Sequence, residues 1–247
     1  MDNALLLSLS NQMVARRSMD VIANNIANMN TTGFKRESPV FGEFVINVDT
    51  EGEFGRRAEP LSFVRDNFAT HDMSAGGLST TGNPLDVAIE GDGFFTVSTP
   101  EGDRYTRNGN FGRDDTGRLV TNTGHPVLDD GGSEIVFSAE ETQISIARDG
   151  TISTEAGLKG KLGVVDFENP QTLRPVGDSL WEADEPPAAT EGNKVVQAML
   201  EKSNVQPVVE MVRMMAIMRS YQTSTELLNT GEDLSRRAVQ KLGETRA

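Results

Sequence analysis

Cysteine is absent from the chain, which excludes disulfides, thiolate metal sites and cysteine nucleophiles together and leaves the redox compartment open. Histidine is almost absent. His71 and His125 stand far apart and outside any HExxH-like pattern, so neither a metal centre nor a histidine-based catalytic site is expected. Basic charge is also scarce: 23 Lys and Arg against 37 Asp and Glu give a formal net charge of -14. That is the wrong sign for counterion release from phosphates, and it excludes nucleic acid as a partner. No run approaches the roughly 18 apolar residues that a membrane span requires. The apolar stretch from Ala4 to Leu9 follows Asp2, where a secretory signal would be positive, and soon meets Asn11, Gln12, Arg16 and Arg17, so no cleavable signal is read there.

Glycine and proline are scarce at the two ends. Of 24 glycines, 21 lie between Glu37 and Lys202, as do 9 of the 10 prolines. The same interval holds 13 basic and 30 acidic residues, so the acidity is central as well. The ends therefore read as helix and the middle as turn-rich β structure.

From Asn3 to Met29 no breaker intervenes, and Leu6, Leu9 and Met13, then Met19, Ile22, Ile26 and Met29, recur at steps of three and four. This spacing predicts an amphipathic helix. Gly33 is expected just past its end, with Phe34 folding back on the last turn. At the other end Pro207 suits a first helical turn. Beyond it Val208, Met211, Met215 and Met218 form one stripe, and Met214, Ile217, Tyr221, Ser224 and Leu228 form a second beside it. So wide an apolar face exceeds the a and d positions of a two-stranded seam and calls for more than one partner surface.

Between the ends, Leu85 to Ile89 and Phe94 to Val97 flank Gly91-Asp92-Gly93, and Leu119 to Thr121 follows the turn Asp114 to Gly117. Further turns at Asn108-Gly109, Asp130 to Gly132 and Asp149-Gly150 adjoin short β-prone runs such as Ile144 to Ile146. The expected fold class is α+β: a central antiparallel β domain flanked by N- and C-terminal amphipathic helices that pair as an antiparallel coiled coil. The expected divisions are an N-terminal helix over 1–34, an extended or irregular connector over 35–80, the β domain over 81–202 and a C-terminal helix over 203–247.

Chemistry-bearing patterns are few. Gly91-Asp92-Gly93 lacks the rest of a dinucleotide or P-loop fingerprint and reads as a tight turn. Asp114 with Asp115, and Asp129 with Asp130, lack the spaced oxygen ligands of an EF-hand and read as solvated turn residues. No cofactor, catalytic residue or small-molecule substrate is expected. A structural subunit, a secreted cell-wall enzyme and a surface binding module remain as readings, the enzyme requiring an acid/base or metal constellation and the module a ligand pocket.

Longer motifs narrow these. Asn24-Asn25-Ile26-Ala27-Asn28-Met29-Asn30-Thr31-Thr32-Gly33-Phe34-Lys35-Arg36 resembles the amino-terminal signature of bacterial flagellar axial proteins, those of the rod and hook. Gly82 to Ile89, Gly91 to Phe95 and Tyr105-Thr106-Arg107-Asn108-Gly109-Asn110-Phe111 are similar to the central motifs of that family. Ser203-Asn204-Val205, Glu210-Met211-Val212 and Arg219-Ser220-Tyr221 are similar to its carboxy-terminal signature. The resemblance implies a non-enzymatic subunit whose terminal helices form the inner layer of the axial structure, with the β domain outside. It implies copies of itself and other rod proteins as partners, export by the flagellar type III apparatus without a cleaved signal, and a place in the basal-body rod that crosses the periplasm. The short chain argues against the hook protein, and Phe63 to Asp66 with Thr81 to Pro84 look most like the proximal rod members, the distal rod members being second. The assembly interface is then expected at Leu6, Leu9, Met13, Met19, Ile22, Ile26, Val208, Met211, Met214, Met215, Ile217, Met218, Tyr221 and Leu228. Asn24 and Asn28, four apart on one face, are expected to fix register there.

Overall fold

The computed structural model describes residues 2–46, 61–66, 69–189 and 192–244, of which 2–7, 41–46, 61–66 and several positions beyond Gly231 are described by their backbone alone. The chain forms two compact units. The first comprises Met1–Ala27, Glu37–Thr70 and Gln206–Ala247, and the second Asn28–Arg36 and His71–Val205.

In the first unit, helix α1 spans Asp2–Ala27 and helix α2 spans Pro207–Glu244. At about 1.5 Å per residue they are about 39 and 57 Å long. α1 stops two residues short of Met29, because Asn28 begins a turn: its carbonyl accepts the Thr31 N–H and its side-chain oxygen accepts the Thr31 hydroxyl, each at 3.1 Å. Such local side-chain bonds compete with helix continuation. α2 opens with Pro207 in its first turn, the Gln206 carbonyl accepting the Glu210 N–H at 3.0 Å. It runs through Gly231 rather than ending at Thr230.

The expected antiparallel coiled coil is not what these helices form. α1 and α2 lie against one another, but the apolar stripe of α2 is not spent on that contact: Val208, Met211, Met215 and Met218 remain 46% to 69% exposed. The face α1 buries is Ala15, Ser18, Val21, Ile22 and Asn25, small and polar residues among two aliphatic ones. A cross-helix bond from Gln12 Nε2 to Thr225 Oγ1 at 2.9 Å adds to the polar character. A strand also packs on α1. Within the stretch expected as an irregular connector, Phe41–Ile46 and Leu61–Asp66 pair as an antiparallel ladder, and the second of these contacts α1. Both runs are rich in β-branched and aromatic residues. The connector's residues 47–60 lie outside the described residues. The α+β layout stands without the supercoiled seam, since a seam needs both apolar stripes turned inward.

The second unit is antiparallel β throughout its named pairings. Its largest sheet orders Arg174–Gly177, Leu180–Glu182, Gly102–Thr106, Phe94–Thr99, Val164–Asp166 and Ala188–Ala189. A three-stranded sheet joins Ser145–Ile146, Thr151–Thr154 and Gly157–Lys161. Long-range ladders link Val87–Glu90 to Lys194–Gln197, and Leu78–Thr80 to Met199–Glu201. One apolar cluster gathers fully buried Val87, Phe95, Val97, Val127 and Ile152 with their neighbours, and a second gathers Phe94, Tyr105, Leu173 and Trp181.

Gly91-Asp92-Gly93 is a corner where the chain changes sheets: Val87–Glu90 and Phe94–Thr99 flank it but pair with other strands. A Cβ at Gly91 or Gly93 would collide with the Asn193 amide, whose Nδ2 donates to Asp166 Oδ1 at 2.6 Å. A side chain at either position would displace that amide from Asp166, and Gly91 also adopts φ 136°.

Candidate functional site

The residues expected at an assembly interface fall into two sets. Leu9, Met13, Val208, Met211, Met215, Met218 and Tyr221 are exposed, and Val209, Val212, Leu227 and Leu234 extend the exposed apolar surface of α2. Met19, Ile26, Met214, Ile217 and Leu228 are half-buried, while Ile22 is buried inside the unit. Leu6 lies in α1, its side chain outside the described residues. The helices thus present large apolar side chains that their own unit leaves uncovered.

The two asparagines do not share a helical face, because Asn28 lies beyond the end of α1. Asn24 Nδ2 donates to Glu37 Oε2 at 3.2 Å. Their neighbour Asn25, which the sequence reading passed over, carries the more definite geometry. Its Nδ2 donates to the Glu37 carbonyl at 2.8 Å and its Oδ1 accepts the Glu37 N–H at 2.9 Å, so a buried amide mimics a backbone ladder.

The second unit holds a buried ion cluster of three residues far apart in sequence. Lys35 Nζ sits 2.7 Å from Glu201 Oε1 and also donates to the Ser74 carbonyl at 2.8 Å. Arg107 NH1 lies 3.5 Å from Glu201 Oε2, and all three side chains are about 1% exposed. This second contact is electrostatic only, since Arg107 Nε and NH1 and Glu201 Oε2 make no hydrogen bond. Arg107 is held instead by NH2 donating to the Gly91 carbonyl at 2.6 Å and by the Phe94 ring, 5.1 Å below its Cζ. Burial pushes the Lys35 ammonium and the Arg107 guanidinium below their ordinary ranges, and the Glu201 carboxylate opposes the shift in each.

Backbone contacts surround the cluster. The Gly33 N–H donates to the Glu201 carbonyl at 2.8 Å, and the Gly76 N–H donates to Glu201 Oε1 at 2.8 Å. The Asn204 side chain accepts the Arg36 N–H at 2.7 Å and donates to the Asp72 carbonyl at 2.7 Å. Gly33 is not a helix cap. It adopts φ 67° six residues past the end of α1, where a Cβ would come within 2.5 Å of the Arg107 carbonyl carbon.

The acidic pairs organise turns. Asp114 Oδ1 accepts the N–H groups of Thr116 and Arg118 and the Thr116 hydroxyl, while Oδ2 accepts Arg118 Nε. The Thr116 hydroxyl first, and then Arg118, hold its carboxyl well below the usual carboxylate range. Asp129 Oδ1 accepts the N–H groups of Gly131 and Ser133. His71 meets the Trp181 ring edge-on at 4.8 Å. Among the described residues no group of three His, Cys, Asp or Glu could hold a metal ion, and no helix is long and apolar enough to cross a membrane.

Comparison with known proteins ties these parts together. Residues 5–35 match the family described as flagella basal body rod protein, residues 88–154 the flagellar hook protein FlgE/F/G D1 domain, and residues 196–241 the flagellar basal body rod FlgEFG protein C-terminal region. Each matched stretch contributes one member of the ion cluster: Lys35, Arg107 and Glu201. The chain is 38% identical over 250 residues to the flagellar basal-body rod protein FlgF of Caulobacter vibrioides, covering 99% of both chains. It is 33% identical to the FlgF of Mesorhizobium japonicum over 98% of this chain and 99% of that one. To the rod protein FlgG of Bacillus subtilis it is 31% identical, over 90% of this chain and 92% of the relative. A non-enzymatic protein with uncovered apolar helices and relatives matched end to end, the chain belongs to the flagellar basal-body rod protein family and is a FlgF-like structural subunit of the rod.

Proposed function

We propose that the subunit occupies the proximal rod and is added to it through the exposed apolar faces of α1 and α2. The observation that carries this reading is the stripe Val208, Met211, Met215, Met218 and Tyr221, left exposed by its own unit although its side chains are large and apolar. Fully burying an exposed side chain of this kind contributes about 1.5–3 kcal/mol, and each of these, already partly covered, contributes roughly half of that against a neighbour. In this reading the regions 1–34 and 203–247 form the inner layer, the β region 81–202 lies outside, and the partners are copies of the chain and other rod subunits. Delivery is by the flagellar type III apparatus.

Full-length similarity to relatives named FlgF supports the proximal position. A distal position is the second reading, supported by the similarity to relatives named FlgG. Gold-labelled antibody on purified basal bodies separates them. Label at the membrane-proximal end of the rod is expected, label at the distal end would favour the second reading, and rods without label would defeat both.

A further inference from the structure

Asn28–Arg36 belongs to the second unit but is separated in sequence from the rest of it, His71–Val205. It is also attached differently. Both hydrophobic clusters of that unit are built from residues after Asp72, and no residue of Asn28–Arg36 enters either one. Its attachments are polar: the Gly33 N–H to the Glu201 carbonyl, the Asp72 N–H to the Arg36 carbonyl at 2.8 Å, the Asn204 N–H to the Phe34 carbonyl at 3.4 Å, the Arg36 N–H to Asn204 Oδ1, and the Lys35 ammonium to Ser74 and Glu201.

Charge balance separates the segment in the same way. With Lys35 withdrawn, Arg107 and Glu201 are left as one cation facing one anion, still joined by the Gly76 N–H on the carboxylate and the Gly91 carbonyl on the guanidinium. The slot is complete in charge when empty, and Lys35 enters as a second cation. Entry also depends on shape, because the Gly33 site lies against the backbone of Arg107 and Asn108 with no room for a Cβ. The flanks of the segment are closed by the Asn25–Glu37 amide ladder, so release leaves a short closed loop, and docking it again costs little additional loop-closure entropy.

We infer that Asn28–Arg36 is a strap that docks onto an already folded β unit as a separable step, with Lys35 as its bolt and Gly33 as the close fit that admits it. The inference goes beyond membership of the rod family and does not depend on the position of the subunit along the rod. It gives the chain two states in which the β unit is folded, one with its amino-terminal pass fastened and one with that pass free.

Residue-resolved amide hydrogen exchange on the full chain tests it, with wild type, Lys35→Met and Gly33→Ala compared. Lys35→Met removes the bolt without altering the backbone, and Gly33→Ala blocks the fit without altering charge. In both, exchange at Arg36, Asp72 and Asn204 is expected to rise about tenfold or more, while the strands Phe94–Thr99 and Gly102–Thr106 keep wild-type protection. Retained protection at those three amides in both variants would overturn the bolt and the fit. Loss of protection in the strands to the same degree would overturn separability, because the segment would then be part of the unit's own core.

Discussion

Replacing Glu201 by Gln probes the ion cluster most directly. The carboxylate faces one cation at 2.7 Å and another at 3.5 Å. At an effective dielectric constant of about 20 these contacts represent about 6 and about 5 kcal/mol of gross attraction. Desolvation of three buried ions offsets most of it in the native protein, but the cost for the two cations stays when the carboxylate goes, and they are left without their shared partner, with only the more distant Asp72, Asp92 and Asp166 to oppose them. The amide of Gln still accepts from Lys35 and Gly76. The net loss is therefore expected at about 3–5 kcal/mol, the range for removing one partner of a buried pair. That corresponds to a fall in Tm on the order of 10 °C. Trp181 is the only tryptophan and is buried in the second unit, so its fluorescence during urea unfolding reports this unit directly. Lys35→Met should cost less, because Arg107 and Glu201 still balance, and the double variant completes a cycle that isolates the pair. A Glu201→Gln loss below about 1 kcal/mol, or a larger loss for Lys35→Met than for Glu201→Gln, would refute the assignment of Glu201 as the common counterion.

Met215→Asp should leave the Trp181 transition unchanged, since Met215 is about half exposed, yet exclude the subunit from purified rods, because a neighbour that covers it would bury an unpaired charge at several kcal/mol, roughly; normal incorporation would rule out α2 as the docking face. Ile22→Asp should instead lower helicity in the isolated subunit, measured by circular dichroism, because Ile22 is buried within its own unit. The fragment His71–Val205 should be β-rich and monomeric by sedimentation and melt above Thr81–Leu200, which lacks Glu201 and the Leu78–Thr80 strand that pairs with it; equal melting would count against both contributions. For Asp114, whose carboxyl is held below its ordinary 3.8, the folded state gains stability above that value and loses it as pH falls below it. Asp114→Asn should accordingly be less stable than wild type at neutral pH and converge on it in acid, and parallel melting curves from pH 7 to below 3.8 would contradict the turn bonds.

The terminal helices were legible because no glycine or proline interrupts Asn3 to Met29 or Val208 to Thr230 and apolar residues recur at three and four. Leu119–Thr121 was legible from the turn before it. What periodicity could not show is which partner an apolar stripe meets. An inward seam and an outward face have the same spacing, and Met211, Met215 and Met218 proved to be the outward kind. The paired strands Phe41–Ile46 and Leu61–Asp66 were obscured by the many charges around them, and the ladder from Val87–Glu90 to Lys194–Gln197 joins residues more than a hundred positions apart, which no local pattern reports. The ion cluster was hidden for a related reason. Lys35, Arg107 and Glu201 each look like an ordinary solvated charge, and only the motifs containing Lys35 and Arg107 marked their neighbourhoods as special. Asn25 left one usable sign, an amide in a helix interior where amides are disfavoured unless bonded elsewhere.

Lys35, Arg107 and Glu201 enter a growing polypeptide in that order, and the anion comes last. Until residue 201 has been made, Arg107 lacks its counterion, Val87–Glu90 awaits Lys194–Gln197, and Leu78–Thr80 awaits Met199–Glu201. The earlier cations meanwhile remain hydrated, and the inner ladders stay open. Closure of this unit therefore cannot precede residue 201, four residues before the unit's own end at Val205.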